Sequence, residues 1–410
     1  MKTKRVLLVA LAGALSSVAC KGFLEVTNPG PINDSALYTP DAVPALVVGM
    51  SSDYSNILDE ITRITSIAGD ESGHGGSYTA EQIWVKGVIK PEDVNGLWSG
   101  MHQVRFESES GIVRMKAMTG FSYDNSAQAA RANMFAGMSN RMLGETACEA
   151  VFDNGPAQDY KTYFSRAETY FTEAIRIASA VPSASDVLNA SYAGRAAVRV
   201  AQGNWTGAVA DATLVPASFV YLAYYATTST RENNSYVQET YVRREFSVWG
   251  SQWAKVFKDP RVPWDSIKVT SGAMQTAQDG VTPFFRQAKM KDLGADIPMA
   301  KGAEMLMIRA ENALRGGDIA GAWAFINQQR AVYAMAPLTA PADVATAWPI
   351  LEKEKGAVLW LEGRRLGDLR RWYLETGPAH NSFLEGRDKC IPISLQELQT
   401  NPNLRGRLAP

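Results

Sequence analysis

Aromatic side chains are the residues of this sequence with the clearest capacity for binding chemistry. The chain contains 10 tryptophans and 15 tyrosines, which is more than helix packing alone requires. Sugar rings present apolar C–H faces that stack on indole or phenol rings, while neighbouring Asn, Asp or Arg side chains hydrogen-bond the hydroxyls. Three of the rings fall at helical spacing and are predicted to lie in the core: Trp205, Trp323 and Trp360.

Six other rings lie in two stretches that break the helical pattern, and they are our candidate ligand-binding residues: Tyr78, Trp84, Trp98, Trp249, Trp253 and Trp264. The first three flank the glycine-rich segment Gly69 to Ser77, and the last three lie in an irregular segment, 217–300. Because loops commonly carry binding residues, we predict a ligand surface where the stretch from Asp70 to Trp98 meets the stretch from Trp249 to Trp264. Burial in the core is the alternative for each ring.

A catalytic site has little support in the sequence. Glycosidases hold two carboxylates about 5 to 9 Å apart across a cleft, whereas the adjacent Asp70 and Glu71 point their side chains apart. The sequence has no Gly-x-Ser-x-Gly elbow and no His-Glu-x-x-His, and the glycine-rich segment lacks the Lys of a phosphate loop. None of the three histidines has a ligand spacing to another His or Cys: His74, His102 and His380. We therefore predict no enzymatic activity, no metal and no cofactor.

The N-terminus has the pattern of a bacterial lipoprotein signal peptide. Lys2, Lys4 and Arg5 precede an apolar run from Val6 to Val18, which is too short to span a bilayer. The run ends in small residues before Cys20, whose thiol is predicted to take a diacylglycerol and to become the mature N-terminus. Residues 1–19 are then the signal peptide. Lipid chains, at roughly 0.8 kcal/mol per buried methylene, hold a protein on a membrane without a spanning helix. The alternative is an ordinary secretory signal peptide.

Charge and cysteine content add two further expectations. Without the signal peptide, 38 basic residues stand against 42 acidic ones and no basic block remains, which argues against nucleic acid as a partner. If Cys20 is lipidated, Cys148 and Cys390 remain in an oxidising compartment. Both lie where the chain leaves a predicted helix for a loop, and we predict a disulfide between them. Two buried free thiols are the alternative.

A repeated spacing of small residues predicts paired antiparallel helices. Ala196, Gly203 and Ala208 recur at the same spacing as Ala310, Gly317 and Ala322. Small residues at these positions let two helices approach closely, and the spacing matches that of tetratricopeptide units. We place these units at 126–216 and 304–330, and apolar periodicity predicts further helices at Asp41 to Ile64 and Gly87 to Ser110. The prediction is a mainly α (all-α) fold with little β.

Between the helical units, 217–300 has a different character. It contains short β-prone runs such as Ser235 to Val242, and we predict loops, short helices and a small hairpin for this irregular insert. Long inserts in a helical frame are usually functional. The charge-rich segment from Leu359 to Trp372 is predicted instead to have a structural role, with ion pairs that fix a helix against the repeats.

Three motifs follow one another in a fixed order near the C-terminus. Glu304 to Arg330 reads as two helices around a Gly-Gly-Asp turn, Leu359 to Trp372 follows, and the last motif runs from Cys390-Ile-Pro-Ile-Ser to Asn401-Pro-Asn-Leu. Together they resemble the end of the SusD/RagB family, the lipoprotein partners of outer-membrane nutrient transporters. The segment from Cys20 to Val26 also resembles the start of that family.

The resemblance implies a single SusD-like domain over 20–410, anchored to the outer membrane and facing outward from the cell. It also implies a non-catalytic lipoprotein that captures a nutrient and delivers it to a TonB-dependent, SusC-like transporter. An oligosaccharide is the favoured nutrient and a peptide is a second option. The alternative from another class is a tetratricopeptide scaffold that binds only protein in the cell envelope.

Overall fold

Helices dominate the computed structural model, which describes residues 37–255, 259–377 and 381–407. The helices of this part of the chain are α1 (Val43–Ala68), α2 (Thr79–Trp84), α3 (Asn95–Ala117), α4 (Ala127–Thr146), α5 (Lys161–Ala180), α6 (Ser185–Ala201), α7 (Trp205–Leu214), α8 (Ser235–Val237), α9 (Gly302–Arg315), α10 (Ile319–Val332), α11 (Val344–Val358), α12 (Arg365–Thr376) and α13 (Leu395–Thr400). The mainly α prediction is confirmed. The predicted signal peptide, Cys20 and His380 lie outside the described residues.

Neighbouring helices pack in antiparallel pairs, with α4 against α5, α6 against α7 and α9 against α10. The small residues that predicted this pairing are fully buried: Ala196, Ala208, Ala310 and Ala322. The turn glycines Gly203 and Gly317 have φ values of +78° and +79°, a region that residues with a side chain rarely adopt. Asn204 and Asp318 follow them and cap α7 and α10, accepting hydrogen bonds from first-turn N–H groups.

The strands of the described residues are short and form four antiparallel pairs. They are β1 (Gly73–His74), β2 (Glu149–Ala150), β3 (Gln158–Asp159), β4 (Val220–Ala223), β5 (Phe246–Ser247), β6 (Trp264–Ser266), β7 (Phe285–Gln287) and β8 (Ile297–Lys301). β1 pairs with β5, β2 with β3, β4 with β8 and β6 with β7. The β6–β7 pair supplies the small hairpin predicted for the insert.

The β-prone interpretation of Ser235 to Val242 is wrong. The chain forms α8 there and continues as a π-helix over Gln238–Val242. Asn234 explains the change, because its side-chain oxygen accepts a hydrogen bond from Val237 N at 3.2 Å while its amide donates to Ala295 O at 2.7 Å. A cap fixed by a distant segment outweighs the local propensity of a short apolar run.

A disulfide joins Cys148 to Cys390, as predicted, with their Cα atoms 5.0 Å apart and a sequence separation of 242. Backbone hydrogen bonds on both sides hold the two segments together: Cys148 N donates to Ile391 O at 2.9 Å, and Ile391 N donates to Thr146 O at 2.7 Å. The bridge therefore attaches the C-terminal segment to the end of α4.

The charge-rich segment from Leu359 to Trp372 contacts the repeats through Glu311 of α9. This carboxylate is fully buried and accepts hydrogen bonds from Arg371 at 2.7 and 2.9 Å and from the Trp372 indole at 3.0 Å. The Arg315 guanidinium lies 2.8 Å from the Glu311 carboxylate, and the Lys355 ammonium lies 3.6 Å from it. These contacts agree with the structural role predicted for the segment. In the three described ranges, no helix is both long and apolar enough to cross a bilayer.

Candidate functional site

The glycine-rich loop meets the insert, as the sequence predicted. β1 pairs with β5 through Gly73↔Ser247 and His74↔Phe246. Glu245 is fully buried just ahead of β5, where its carboxylate accepts a hydrogen bond from Ser77 N at 2.7 Å and a longer one from Ser77 Oγ at 3.3 Å. The glycine-rich loop and the insert therefore meet along this strand pair, which we call the junction.

Close approach explains the glycines of this loop. A Cβ on Gly73 would lie 2.8 Å from the carbonyl oxygen of Trp249, and a Cβ on Gly76 would lie 1.6 Å from a carboxylate oxygen of Glu245. Side chains at these positions would force the loop away from the insert. Because glycine has no side chain, the loop lies flat against the segment that carries Trp249.

The end of the loop is fixed by a buried ion pair. Asp70 accepts hydrogen bonds from Arg365 Nε and Nη2, each at 2.7 Å, and a further one from the Gln252 amide. Arg365 is only 2% exposed, and its guanidinium also lies 5.9 Å from the centre of the Trp253 ring. The loop, the insert and α12 therefore share one polar anchor beneath the junction.

Above this anchor, three rings form what we call the aromatic surface: Trp249, Phe285 and Trp264. Phe285 is the central ring, edge-on to Trp249 with the ring centres 5.0 Å apart, and stacked on Trp264 at 4.6 Å with an 8° angle between planes. Trp249 is 45% exposed, and the other two rings are half-buried. The Trp264 indole donates to the Trp253 carbonyl at 3.1 Å, which fixes its orientation.

The β6–β7 hairpin carries the aromatic surface on one face and a charged pair on the other. Asp265 is paired with Arg286 in the hairpin register, and its carboxylate accepts two hydrogen bonds from that guanidinium at 2.7 and 3.0 Å. Arg286 also lies 4.6 Å from the centre of the Tyr241 ring. Since successive side chains of a strand point to opposite faces, these charges stay separate from Trp264 and Phe285.

Solved structures with this architecture are known. A SusD superfamily protein from Bacteroides thetaiotaomicron matches with a TM-score of 0.67 at 13% identity, covering 89% of this chain and 97% of that chain. Surface glycan-binding protein A from Bacteroides uniformis gives 0.65 at 14% identity, with 89% and 99% covered. A laminarin-binding SusD-like protein gives 0.62 at 15% identity, with 89% and 98% covered. The chain has the SusD-like fold. No family model and no curated protein matches the sequence. The similarity to these solved structures is therefore one of fold.

Tyr78 lies on the other side of the junction of this SusD-like chain, against the π-helix. Its half-buried ring has the Arg243 guanidinium 4.7 Å from its centre, and its hydroxyl lies 3.5 Å from Glu239. Burial, and then the nearby Glu239 carboxylate, raise the pKa of the Tyr78 hydroxyl. Isolated π-helical turns are frequent at functional sites. Tyr78 therefore belongs to a polar patch at the junction, formed with Arg243 and Glu239, and its hydroxyl is neutral at physiological pH.

Three of the six predicted rings lie in the core of the SusD-like fold: Trp84, Trp98 and Trp253, each less than 5% exposed. Trp98 packs on His102 with the ring centres 4.6 Å apart, and burial lowers the pKa of that histidine to about 3. The buried Trp253 lies below the aromatic surface, since its carbonyl holds Trp264. For these three rings, the alternative of core burial holds. Ligand contact stays a prediction for Tyr78, Trp249 and Trp264.

Phe285, the central ring of the aromatic surface, was missed by the sequence reasoning. The signal available was its position in Pro283-Phe-Phe-Arg286, where adjacent aromatics on a strand must point to opposite faces. Phe284 is buried and Phe285 is half-buried, as this alternation requires. Assigning the strand first would have identified Phe285.

Proposed function

We propose that this protein is a non-catalytic binding lipoprotein of the outer-membrane surface. It captures an oligosaccharide on the aromatic surface and delivers it to a TonB-dependent transporter. The observation that carries the proposal is the exposed Trp249 ring, supported by Phe285 and Trp264 on a fold whose known members include proteins named as laminarin-binding and surface glycan-binding. Cys20 supplies the membrane anchor in this proposal.

The chemistry of the junction suits a sugar. An exposed indole offers an apolar face for C–H stacking, and the Tyr78 hydroxyl at the same junction is a hydrogen-bonding group. Two ion pairs lie at the junction, Asp70 with Arg365 and Asp265 with Arg286. Because the charges of these four side chains are already balanced, they favour no net charge on the ligand.

Replacing Trp249 with alanine is expected to weaken oligosaccharide binding about fivefold. A stacked aromatic contributes about 1 kcal/mol beyond its buried area by analogy with aromatic pairs, and about 1.4 kcal/mol corresponds to tenfold. Isothermal titration calorimetry with laminarihexaose, maltohexaose, cellohexaose and mannohexaose measures the change. Because Trp249 is 45% exposed and lies outside the core, the melting temperature should stay close to that of the parent.

Phe106→Ala is the matched control, since this ring is 57% exposed on α3, outside the loop and the hairpin that form the aromatic surface. It should leave the dissociation constant unchanged. Equal affinities for the Trp249→Ala variant and the parent would place the ligand elsewhere. If the parent bound peptides and none of the oligosaccharides, a peptide would replace the oligosaccharide as the proposed nutrient.

A further inference from the structure

A pocket of about 290 Å³ lies between the helix pairs and α12. The end of α4, the start of α5, the end of α6 and one face of α12 line it, and α9 contributes Glu304 and Ile308. None of the lining residues belongs to the glycine-rich loop or to the insert. The pocket is therefore separate from the aromatic surface.

Arg370 of α12, which lines this pocket, is a buried cation without a carboxylate partner. The described residues contain seven buried Lys and Arg side chains, and six of them contact a carboxylate: Arg105, Arg141, Arg261, Lys301, Lys355 and Arg365. Arg370 is only 6% exposed and, within the same part of the chain, contacts none. Buried charges in proteins are almost always paired, so the missing counter-ion needs an explanation.

The Arg370 guanidinium is held in place by uncharged groups. Its Nη1 donates to Ala147 O, just after α4, at 2.8 Å, and its central carbon lies 3.7 Å from the centre of the Tyr160 ring. Nε and Nη2 have no hydrogen-bond partner among the described residues, and neither atom is fully buried, so a ligand can reach them. These adjacent N–H groups form the fork that binds a carboxylate through two parallel hydrogen bonds.

Burial lowers the pKa of Arg370 from its ordinary value, and the attraction of Tyr160 and Asp159 offsets only part of this effect. Asp159 is exposed, and its carboxylate accepts a hydrogen bond from Lys161 N at 2.8 Å. The protein therefore pays the desolvation of this cation without the compensating ion pair that its other buried cations have.

The remaining charges of the pocket favour an anionic ligand. Each of the four lining carboxylates contacts two Lys or Arg side chains: Glu145, Glu304, Asp368 and Glu375. The lining has five cationic side chains against these four, and Lys161 at the start of α5 forms no ion pair within the described residues. The surplus positive charge attracts an anion and repels a cation. A neutral ligand would leave Arg370 without a counter-ion.

We propose that this pocket binds a small organic carboxylate through the Nε and Nη2 groups of Arg370. The bound carboxylate supplies the missing counter-ion, and Lys161 adds a second positive charge beside it. Phe164, Val200 and Ile308 offer an apolar wall to the body of the ligand. Pockets for drug-sized ligands span about 300–1,000 Å³, so this one suits a single ring, such as a sugar acid, better than a chain.

Fluorine NMR of protein labelled with 3-fluorotyrosine tests the pocket, because Tyr160 stacks on Arg370. The Tyr160→Phe variant assigns the Tyr160 resonance. The probes are glucuronate, galacturonate and benzoate, each compared with its neutral counterpart, glucose, galactose or benzamide. At least one carboxylate is expected to shift the Tyr160 resonance while its neutral counterpart leaves it in place. The shift should persist in the Trp249→Ala variant.

Substitutions of Arg370 test its role. Arg370→Met should raise the dissociation constant read from this shift at least about tenfold, because two charge-assisted hydrogen bonds are lost. Arg370→Lys keeps the charge but lacks the fork, so its affinity should lie between those of the parent and Arg370→Met.

Arg387→Met is the matched control. Arg387 also stacks on an aromatic ring, 4.5 Å from the centre of Phe383, and donates to a backbone carbonyl, Val85 O, at 2.9 Å. It lies outside the pocket, so this variant removes the same charge and should leave the dissociation constant unchanged.

The possible results separate this site from the proposed function. A Tyr160 resonance that no carboxylate moves overturns the pocket, whatever happens at Trp249. Equal shifts from a carboxylate and its neutral counterpart, or an unchanged dissociation constant in Arg370→Met, also overturn it. A shift that disappears in Trp249→Ala places the carboxylate at the aromatic surface instead. A shift that persists while Trp249→Ala binds oligosaccharide like the parent supports the pocket and contradicts the proposed role of the aromatic surface.

Discussion

Replacing Glu311 with alanine should lower the free energy of unfolding by about 3–5 kcal/mol, the range for removing one partner of a buried charge pair. The carboxylate is fully buried and accepts two hydrogen bonds from Arg371 and one from the Trp372 indole, with Lys355 3.6 Å away. Its removal leaves buried cationic groups between α9, α11 and α12 without their shared acceptor. Urea unfolding followed by circular dichroism measures the loss.

The contribution of Glu311 to the free energy of unfolding should persist to acidic pH. Burial alone would raise the pKa of this carboxyl, but Arg371, Lys355 and Arg315 outweigh burial and hold the pKa well below its usual range. Because the pKa in the folded protein is depressed, the stabilisation is present above the pKa of the unfolded chain, about 4.3. It is lost only as the pH falls through the lower pKa of the folded protein. The difference between parent and variant should therefore be similar at pH 7 and pH 5.

Glu375→Ala is the control for Glu311, since Glu375 pairs with Arg315 at 2.5 Å but its side chain is 33% exposed. Exposed pairs contribute about 0–1 kcal/mol, so this variant should unfold close to the parent. If both variants lost the same free energy of unfolding, burial of Glu311 would not be the cause of its contribution to stability.

Asp70→Ala should also cost about 3–5 kcal/mol, because it leaves the Arg365 guanidinium buried with, among the described residues, only the Glu352 carbonyl as acceptor. The double variant Asp70→Ala/Arg365→Met removes the stranded charge and should recover part of that loss. Asp124→Ala is the matched control, since its pair with Arg176 joins side chains that are 72% and 51% exposed. Thermal and urea unfolding of the three variants measure these differences. No recovery in the double variant would contradict the account of a stranded charge.

The helical frame could be predicted because its determinants are local. Small residues at fixed spacing and turn glycines identify the helix pairs before any long-range contact is known. The end of α1 shows the limit of this reasoning, since the predicted helix stopped at Ile64 and the observed one continues to Ala68. Thr62 and Thr65 donate to the carbonyls of Leu58 and Ile61, four residues earlier, which lets polar residues remain buried in the helix.

The meeting of the glycine-rich loop with the insert was predicted correctly, but the division of its rings between core and surface was not. Trp253 is covered because Arg365, distant in sequence, lies over its ring, and Trp249 is exposed because the chain turns at Gly250 with φ +83°. Neither fact is visible in local sequence. Burial of a tryptophan in an irregular segment depends on which distant helix packs there, and periodicity gives no information about that.

The most direct test of the central claim is fluorine NMR of protein labelled with 5-fluorotryptophan, titrated with the oligosaccharide that binds most tightly in calorimetry. The Trp249 resonance is assigned by the Trp249→Phe variant, and Trp84, Trp98 and Trp253 provide buried references in the same spectrum. The account predicts that saturation with the sugar moves the Trp249 resonance most, moves that of Trp264 next and leaves the three buried rings in place. A saturating sugar that leaves the Trp249 resonance unmoved would contradict it.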